Sequence, residues 1–255
     1  MKQIELRDNL KLNLIKEDNE LTFVVNKGVE TKLTLIDLKD ESVIHFEIND
    51  DAVLNLSILV TSEIKNLKMT ANIAHNAVIS TYFADFSTQT NNSNVEINLN
   101  KDGATCLWRL ASLSTAKDKK NISVSIYHHA ENTYAKVDNY GVAKDESKLV
   151  FAGTSHILNG AVKSSTQQNA KIMVFDPKSD AVAKPILKID ENDIEASHSA
   201  GVGKISDEQI FYLTSRGVSE EQAKMLITLG YLKPIFKGFE EEEIVKMNDI
   251  IGGRL

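Results

Sequence analysis

Apolar and polar positions alternate in short bursts over the first three quarters of the chain. LKLNLI, LTFVV, TKLTLIDL, SVIHFEI, AVLNLSILV, AVISTYF, NVEINL, TCLWRL, ISVSIY, KLVFAG and AKIMVF are each of strand length and rich in Val, Ile, Thr or Phe, and the gaps between them hold Asn, Asp, Lys and Gly. This predicts an all-β region running to about Ile189, where Ile186, Leu187 and Ile189 form a last short apolar strand. Polar turns that reopen onto a small residue and a strand recur in NDDAVLNLSIL, AHNAVISTYF, NKDGATCLWRL and PKSDAVAKPIL. Their spacing in the middle of the chain, roughly twenty-five residues, suits stacked coils, while the looseness of the repeat leaves a two-sheet sandwich open. A small-residue run from Ala196 to Gly203 follows and reads as a loop around one ionisable group, His198.

After Ser206 the period becomes helical. Ser206 with Gln209, and Ser219 with Gln222, are spaced as capping boxes that satisfy the free backbone donors of two short helices. Gly217 and Gly230 are expected to end them, because a left-handed closing residue is least costly without a Cβ. Ile244, Val245, Met247, Ile250 and Ile251 mark a third helix. Between the second and third lie Tyr231, Leu232, Ile235, Phe236 and Phe239, more apolar surface than three short helices can hide among themselves. One part is therefore expected to pack on the end of the coil and another to dock a partner, with Phe211, Tyr212, Arg216, Tyr231 and Phe236 as the docking candidates.

Composition narrows the classes. The 255 residues carry a net charge of −7, with three prolines and no Gly/Ser or Pro-rich linker. An acidic chain whose longest like-charge run is Glu240 to Glu243 is a poor match for nucleic acid or an anionic membrane. The capped helix pair could mimic a DNA-reading helix-turn-helix, but its second helix opens on two glutamates. No segment reaches membrane-spanning length, the N-terminus lacks the apolar core of an export signal, and one cysteine excludes an internal disulfide, so the expectation is a cytoplasmic protein. No P-loop, G-x-S-x-G, H-E-x-x-H or C-x-x-C is present, so nucleotide hydrolysis and the common hydrolase and dithiol chemistries are not expected here.

Cys106, beside Trp108 on a strand-like run, reads as a small buried hydrophobe. His128 and His129 are adjacent, so on a strand their side chains point to opposite faces and form no joint site. His45, His75 and His156 are isolated, with solvent-facing or turn roles as the default. Arg216 at the end of the first helix could pair with an acidic group or favour the helix dipole. Asn132, Asn139, Asn159 and Asn169 are expected at turns, capping backbone groups. His198, a lone histidine among small residues, is by residue type alone more often structural than a ligand.

The order Pro185, Leu187, Ile189, an acidic turn, Ser197, His198, Ala200, Gly203, then Asp207, Glu208, Phe211, Tyr212, Leu213, Ser215, Arg216, Gly217 and Ala223 resembles the C-terminal core of the SufB/SufD iron–sulfur assembly proteins, on the SufD-like side. Upstream, the stretch from His128 to Ala181 resembles the same family's coil region; before about Asn94 only compatible β patterning is visible. The resemblance implies an all-β core with a small α module: a right-handed parallel β-helix over residues 1–203, closed at one end by a C-terminal helical module over 204–255. It implies a non-catalytic subunit that pairs with a SufB-like subunit, or with itself, and docks a SufC-like ABC-type ATPase. The family's N-terminal helical region is expected to be absent. His198 is implied as a metal-binding candidate facing the partner, where a neutral imidazole can stand in for a thiolate on iron. Residue 196 is Ala where relatives carry Cys, and a single thiol cannot hold a cluster needing four ligands. No tightly bound cofactor is expected, only a transient iron–sulfur cluster at a subunit interface. The alternatives are a β-helix enzyme acting on carbohydrate and a homodimeric adaptor without an iron role.

Overall fold

The computed structural model describes residues 2–255; Met1, the first residue of the expected coil, lies outside them. The chain winds through β1 (Lys2–Leu6), β2 (Leu10–Asn13), β3 (Glu20–Val25), β4 (Glu30–Ile36), β5 (Ser42–Ile48), β6 (Val53–Val60), β7 (Asn66–Ile73) and β8 (Val78–Asp85). It continues through β9 (Thr90–Leu99), β10 (Thr105–Ser114), β11 (Lys119–His128), β12 (Tyr134–Ala143), β13 (Lys148–Ile157), β14 (Ser165–Val174), β15 (Asp180–Ile189) and β16 (Glu195–Lys204). Odd-numbered strands form one eight-stranded sheet and even-numbered strands the other. Every pairing is parallel, so the two sheets are opposite walls of a parallel β-helix. The sandwich alternative falls.

The coil widens as it climbs, which is why its repeat looks loose in sequence. Thr31 donates to the Asp8 carbonyl across 23 residues, the His75 amide to Asp50 across 25, the Ala116 amide to Asp145 across 29 and the Asp145 amide to Asp176 across 31. Strands lengthen in step, from 5 residues in β1 to 10 from β9 onward. One corner turns through a stacked left-handed residue in successive coils: Gly28, Asp51, Asn76, Gly103, Asn132 and Lys163, with φ between 52° and 72°. Asp, Asn and Gly tolerate this conformation best. Each of these residues donates its amide to a carbonyl one coil on, as Asp51 does to His75 at 2.8 Å and Asn132 to Val162 at 2.9 Å. Asn159 also lies in a turn, but Asn139 and Asn169, expected there too, sit within strands: Asn139 accepts the Trp108 indole N–H at 3.1 Å, and Asn169 faces outward onto Asp138.

Inside, the alternating inward rows supply an apolar core, with Phe23 stacked on Phe46 at 5.5 Å and Phe83 edge-on to Trp108 at 5.8 Å. A second apolar layer lies outside the even-numbered sheet. There α1 (Asp207–Thr214), α2 (Glu220–Leu232), a 3₁₀ segment (Lys233–Gly238) and α3 (Glu241–Arg254) run back along the sheet. This corrects the expectation that the helices close one end of the coil. Leu232, Ile235, Phe239, Met247 and Ile251 pack over Leu59, Ala84, Ala111, Leu113 and Val142. Polar contacts pin the helices at several levels: Ser57 donates to the Gly238 carbonyl at 2.5 Å, Lys246 pairs with Asp37 at 3.5 Å, and Arg254 donates to the Ser87 carbonyl at 3.2 Å. Lys11, on β2 at the far end, reaches Glu242 at 2.8 Å. No helix among the described residues is long and apolar enough to cross a membrane.

The helix boundaries follow their caps with two departures. Ser219 and Gln222 form the full reciprocal box, whereas Ser206 accepts from the Gln209 amide. Gly217 takes the left-handed conformation after α1, at φ 88°. Gly230 does not stop α2, which continues to Leu232, because Leu232 gains burial against the sheet by extending the helix.

Candidate functional site

Both sheets end together at the C-terminal coil, where β15 and β16 are the outermost strands. The small-residue run expected to be a loop is β16 itself, a ten-residue strand paired in register along β14. Alternation failed to mark it because the inward row holds only Ala196, His198, Ala200 and Val202 against Ser and Gly on the other face, with no large apolar residue to set the period. Every residue of β16 is exposed, and no strand lies beyond it among the described residues. Such an edge presents a row of free backbone donors and acceptors to any chain that can add to it. Ile186 and Val202 stand exposed on these last two strands.

His198 lies in this edge, in register with Gln168 of β14, which is in register with Val137 and then Trp108. Those three are buried, so His198 continues an inward row at the level where the coil is open. Beside it a hollow of about 300 Å³ is lined by Lys136, Asp138, Asn169, Ser197 and Ser199. Ser199 donates to Asn169, which donates to Asp138 at 3.4 Å, so the outward row is also polar. Among the described residues no group of three or more His, Cys, Asp or Glu side chains is placed to hold a metal ion. His198 can therefore offer one ligand, and a cluster would take the rest from elsewhere.

The five docking candidates separate. Phe211 and Tyr212 are 73% and 56% exposed on α1, and the Arg216 guanidinium stands 4.7 Å over the Tyr212 ring. Tyr231 and Phe236 are half-buried in the layer against the sheet, with Tyr231 edge-on to Tyr140 at 5.7 Å. Burial and the neighbouring Tyr140 push the Tyr231 hydroxyl above its ordinary range. Both pack against the sheet, and Tyr231 also keeps one side on the groove beside α1. Between α1, α2 and the outer side of β14 and β16 runs a groove of about 890 Å³, lined by Met173, Gly203, Tyr212, Leu226 and Tyr231.

Cys106 and His128 are buried parts of the coil. Cys106 is fully buried, which pushes its thiol up to about 12, so it offers no thiolate. His128 faces inward and His129 outward, as adjacency on a strand requires. Burial, with His129 nearby, lowers His128 to about 4, and its Nδ1 bonds the Thr133 hydroxyl at 2.8 Å.

Sequence reasoning missed one site altogether. Lys120 and Asp85 are an ion pair with no exposure at either side chain, 3.1 Å apart. Lys120 also donates to the carbonyls of Leu113 at 2.8 Å and Asp85 at 3.2 Å, and Asp85 accepts from Ser87 at 2.5 Å and Ser112 at 2.9 Å. Burial alone would push the Asp85 carboxyl up; Lys120 and the two serines outweigh it and hold the group below its usual range. Nothing in KDKKN distinguishes Lys120 from its solvated neighbours except its place in the inward row.

Comparison with known proteins places this architecture. A family model described as "SUF system FeS cluster assembly, SufBD core domain" matches residues 5–231, well upstream of the stretch whose resemblance is legible by eye. The chain is 31% identical to the iron–sulfur cluster assembly protein SufD of Bacillus subtilis over 149 residues, 58% of this chain and 34% of that protein. It is 29% identical to SufB of the same organism over 153 residues, 60% of this chain and 33% of that protein. A SufBD family protein of Staphylococcus saprophyticus matches at 31% over 132 residues, 52% of this chain and 28% of the relative. These matches span about a third of each relative's length. With a two-walled parallel coil, a capped helical module and a family match over most of its length, the chain belongs to the SufBD core domain family of iron–sulfur cluster assembly proteins.

Proposed function

We propose that this chain is a non-catalytic, SufD-like subunit of an assembly scaffold, with the coil of residues 1–203 and the helical module of 204–255 doing different work. The coil joins a SufB-like subunit through its open end, and the exposed face of α1 docks a SufC-like ATPase. The cluster is cargo at the subunit interface, and His198 contributes one ligand to it.

The observation that carries this reading is the ten-residue uncovered edge of β16 with His198 in its inward row. A long flat edge invites further strand pairing, and natural proteins usually blunt or cover such edges. A partner adding to β16 would bury the row from Ala196 to Val202 and enclose the imidazole, placing a neutral nitrogen ligand in a site shielded from water. Phe211 and Tyr212 on α1, and Arg216 just beyond its end, are of the residue types enriched among interface anchors, and Tyr212 lines the groove behind β16. α1 follows β16 after only Ile205 and Ser206, so movement imposed on α1 would act on the strand that carries His198.

The test is co-expression of the intact chain, wild type or His198→Ala, with a SufB-like subunit and a SufC-like ATPase, followed by affinity capture and anaerobic iron and sulfide analysis. The expected result is a variant complex that assembles in full but matures far fewer clusters. Undiminished maturation with the complex intact would remove His198 from the mechanism, and failure to capture either partner would remove the scaffold reading.

A further inference from the structure

Directly below His198 the core contains a buried amide whose arrangement the fold alone does not require. Gln168, 6% exposed, is the register partner of His198 on the inward row, and adjacent strands place such partners about 4.8 Å apart. Its Nε2 donates to the Ser155 hydroxyl at 2.8 Å and to the Ile186 carbonyl at 3.1 Å. A carbonyl can only accept, so this contact fixes which end of the amide is nitrogen. Thr166 donates to the same Ser155 oxygen at 2.9 Å, which holds the serine in place.

The oxygen end is placed with equal care. Gly153, on the opposite sheet, faces Oε1, and a Cβ at that position would overlap it. The glycine leaves the space that the amide oxygen occupies. Among the described residues Oε1 accepts no hydrogen bond. Oε1 is not fully sealed from solvent, so its lone pairs stay open to an incoming donor. The register neighbour on the open side is an imidazole, which in its neutral form carries one N–H to donate and one lone pair to offer.

We propose that Gln168 is the positioning residue for His198: its Oε1 accepts the imidazole N–H, selects one tautomer and leaves the lone-pair nitrogen directed out of the open end of the coil. Metal-binding histidines are commonly oriented in this way by an acceptor on the other nitrogen. The inference rests on the reading of His198 as a cluster ligand, but its test needs neither cluster nor partner.

The experiment is ¹⁵N NMR of the intact, histidine-labelled chain at a pH where imidazole is neutral, with His198→Ala identifying the His198 signals. Lys136 and Asp138, which line the neighbouring hollow, are unchanged in every variant. In the wild type one tautomer of His198 is expected to dominate. Gln168→Leu, which keeps the bulk and removes the acceptor, should shift the tautomer ratio by roughly threefold to tenfold toward that of a free imidazole. Far-UV circular dichroism checks that each variant folds. Should Gln168→Leu fail to fold, Gly153→Ala, which evicts Oε1 from its space, takes its place with the same expected shift. A ratio unchanged across wild type, the variant without the acceptor and Gly153→Ala overturns the proposal. A Gln168-dependent tautomer together with normal cluster maturation in His198→Ala would instead leave the pairing standing and overturn the ligand role.

Discussion

Replacing Lys120 with Met removes the ammonium from a site with no solvent and leaves everything else of similar size. In the wild type that ammonium is surrounded by the Asp85 carboxylate at 3.1 Å, the Leu113 carbonyl at 2.8 Å and the Asp85 carbonyl at 3.2 Å. Water cannot take its place, because neither side chain of the pair has any exposure. Stranding one member of a buried pair costs about 3–5 kcal/mol, a large share of the 5–15 kcal/mol that holds a typical domain together. Lys120→Met should therefore lower the urea midpoint severely, and Asp85→Leu should do the same by stranding the lysine. The double variant leaves no unpaired charge and should be less destabilised than the two losses added together, by an interaction energy of about 2–3 kcal/mol. Coincident urea transitions by circular dichroism and by the fluorescence of Trp108, the chain's single tryptophan, would license the comparison.

The pH dependence supplies a second signature of the same pair. In the wild type the Asp85 carboxyl is held below its usual range, so its stabilising contribution is fully present above the unfolded value of about 3.9 and is lost as the pH falls through the folded one. Without Lys120, burial dominates and the folded carboxyl moves up. The deficit of Lys120→Met relative to wild type should then shrink as the pH is lowered below neutrality, as Asp85 takes up a proton in the folded variant. Single variants that each cost under about 1 kcal/mol, and that simply add in the double variant, would refute the picture of a desolvated pair.

Other perturbations test other parts of the fold. His128 is held neutral, near 4 against an unfolded value of about 6.5, so stability should fall as the pH drops from about 6.5 to 4, by about 3 kcal/mol, and level off below; His128→Asn should flatten that segment of a pH–stability curve. Gly238→Ala places a Cβ against the Tyr82 ring and should loosen the 3₁₀ segment and α3 from the sheet at a cost of about 1–3 kcal/mol, read as faster proteolysis of the C-terminal helices with the coil's circular dichroism retained. Ser219→Ala removes the hydroxyl that accepts the Gln222 amide and should cost about 1 kcal/mol by thermal denaturation, whereas Ser215→Ala, which is no N-cap, should cost little.

The ladder of left-handed corners was legible because only a few residue types tolerate that backbone, and NDDA, HNA and KDGA announce it. The helical module's place was written less openly. At the ends of β6 and β10 the alternation breaks into runs of consecutive buried residues, from Leu56 to Val60 and from Leu110 to Ser114. A strand apolar on both faces is covered on both faces, and what covers these is α3 and the 3₁₀ segment.

Local patterning thus determined the strands, the corners and the capped starts of the helices, because each depends on residues within a few positions of one another. Only the tertiary structure decided that the run around His198 is an edge strand, that Lys120 faces inward onto Asp85, and that Gln168 lies beneath His198. Those relations join residues that sit about thirty positions apart, across a coil whose circumference changes from turn to turn, and no periodicity in the chain can state which residue a widening coil will set above another.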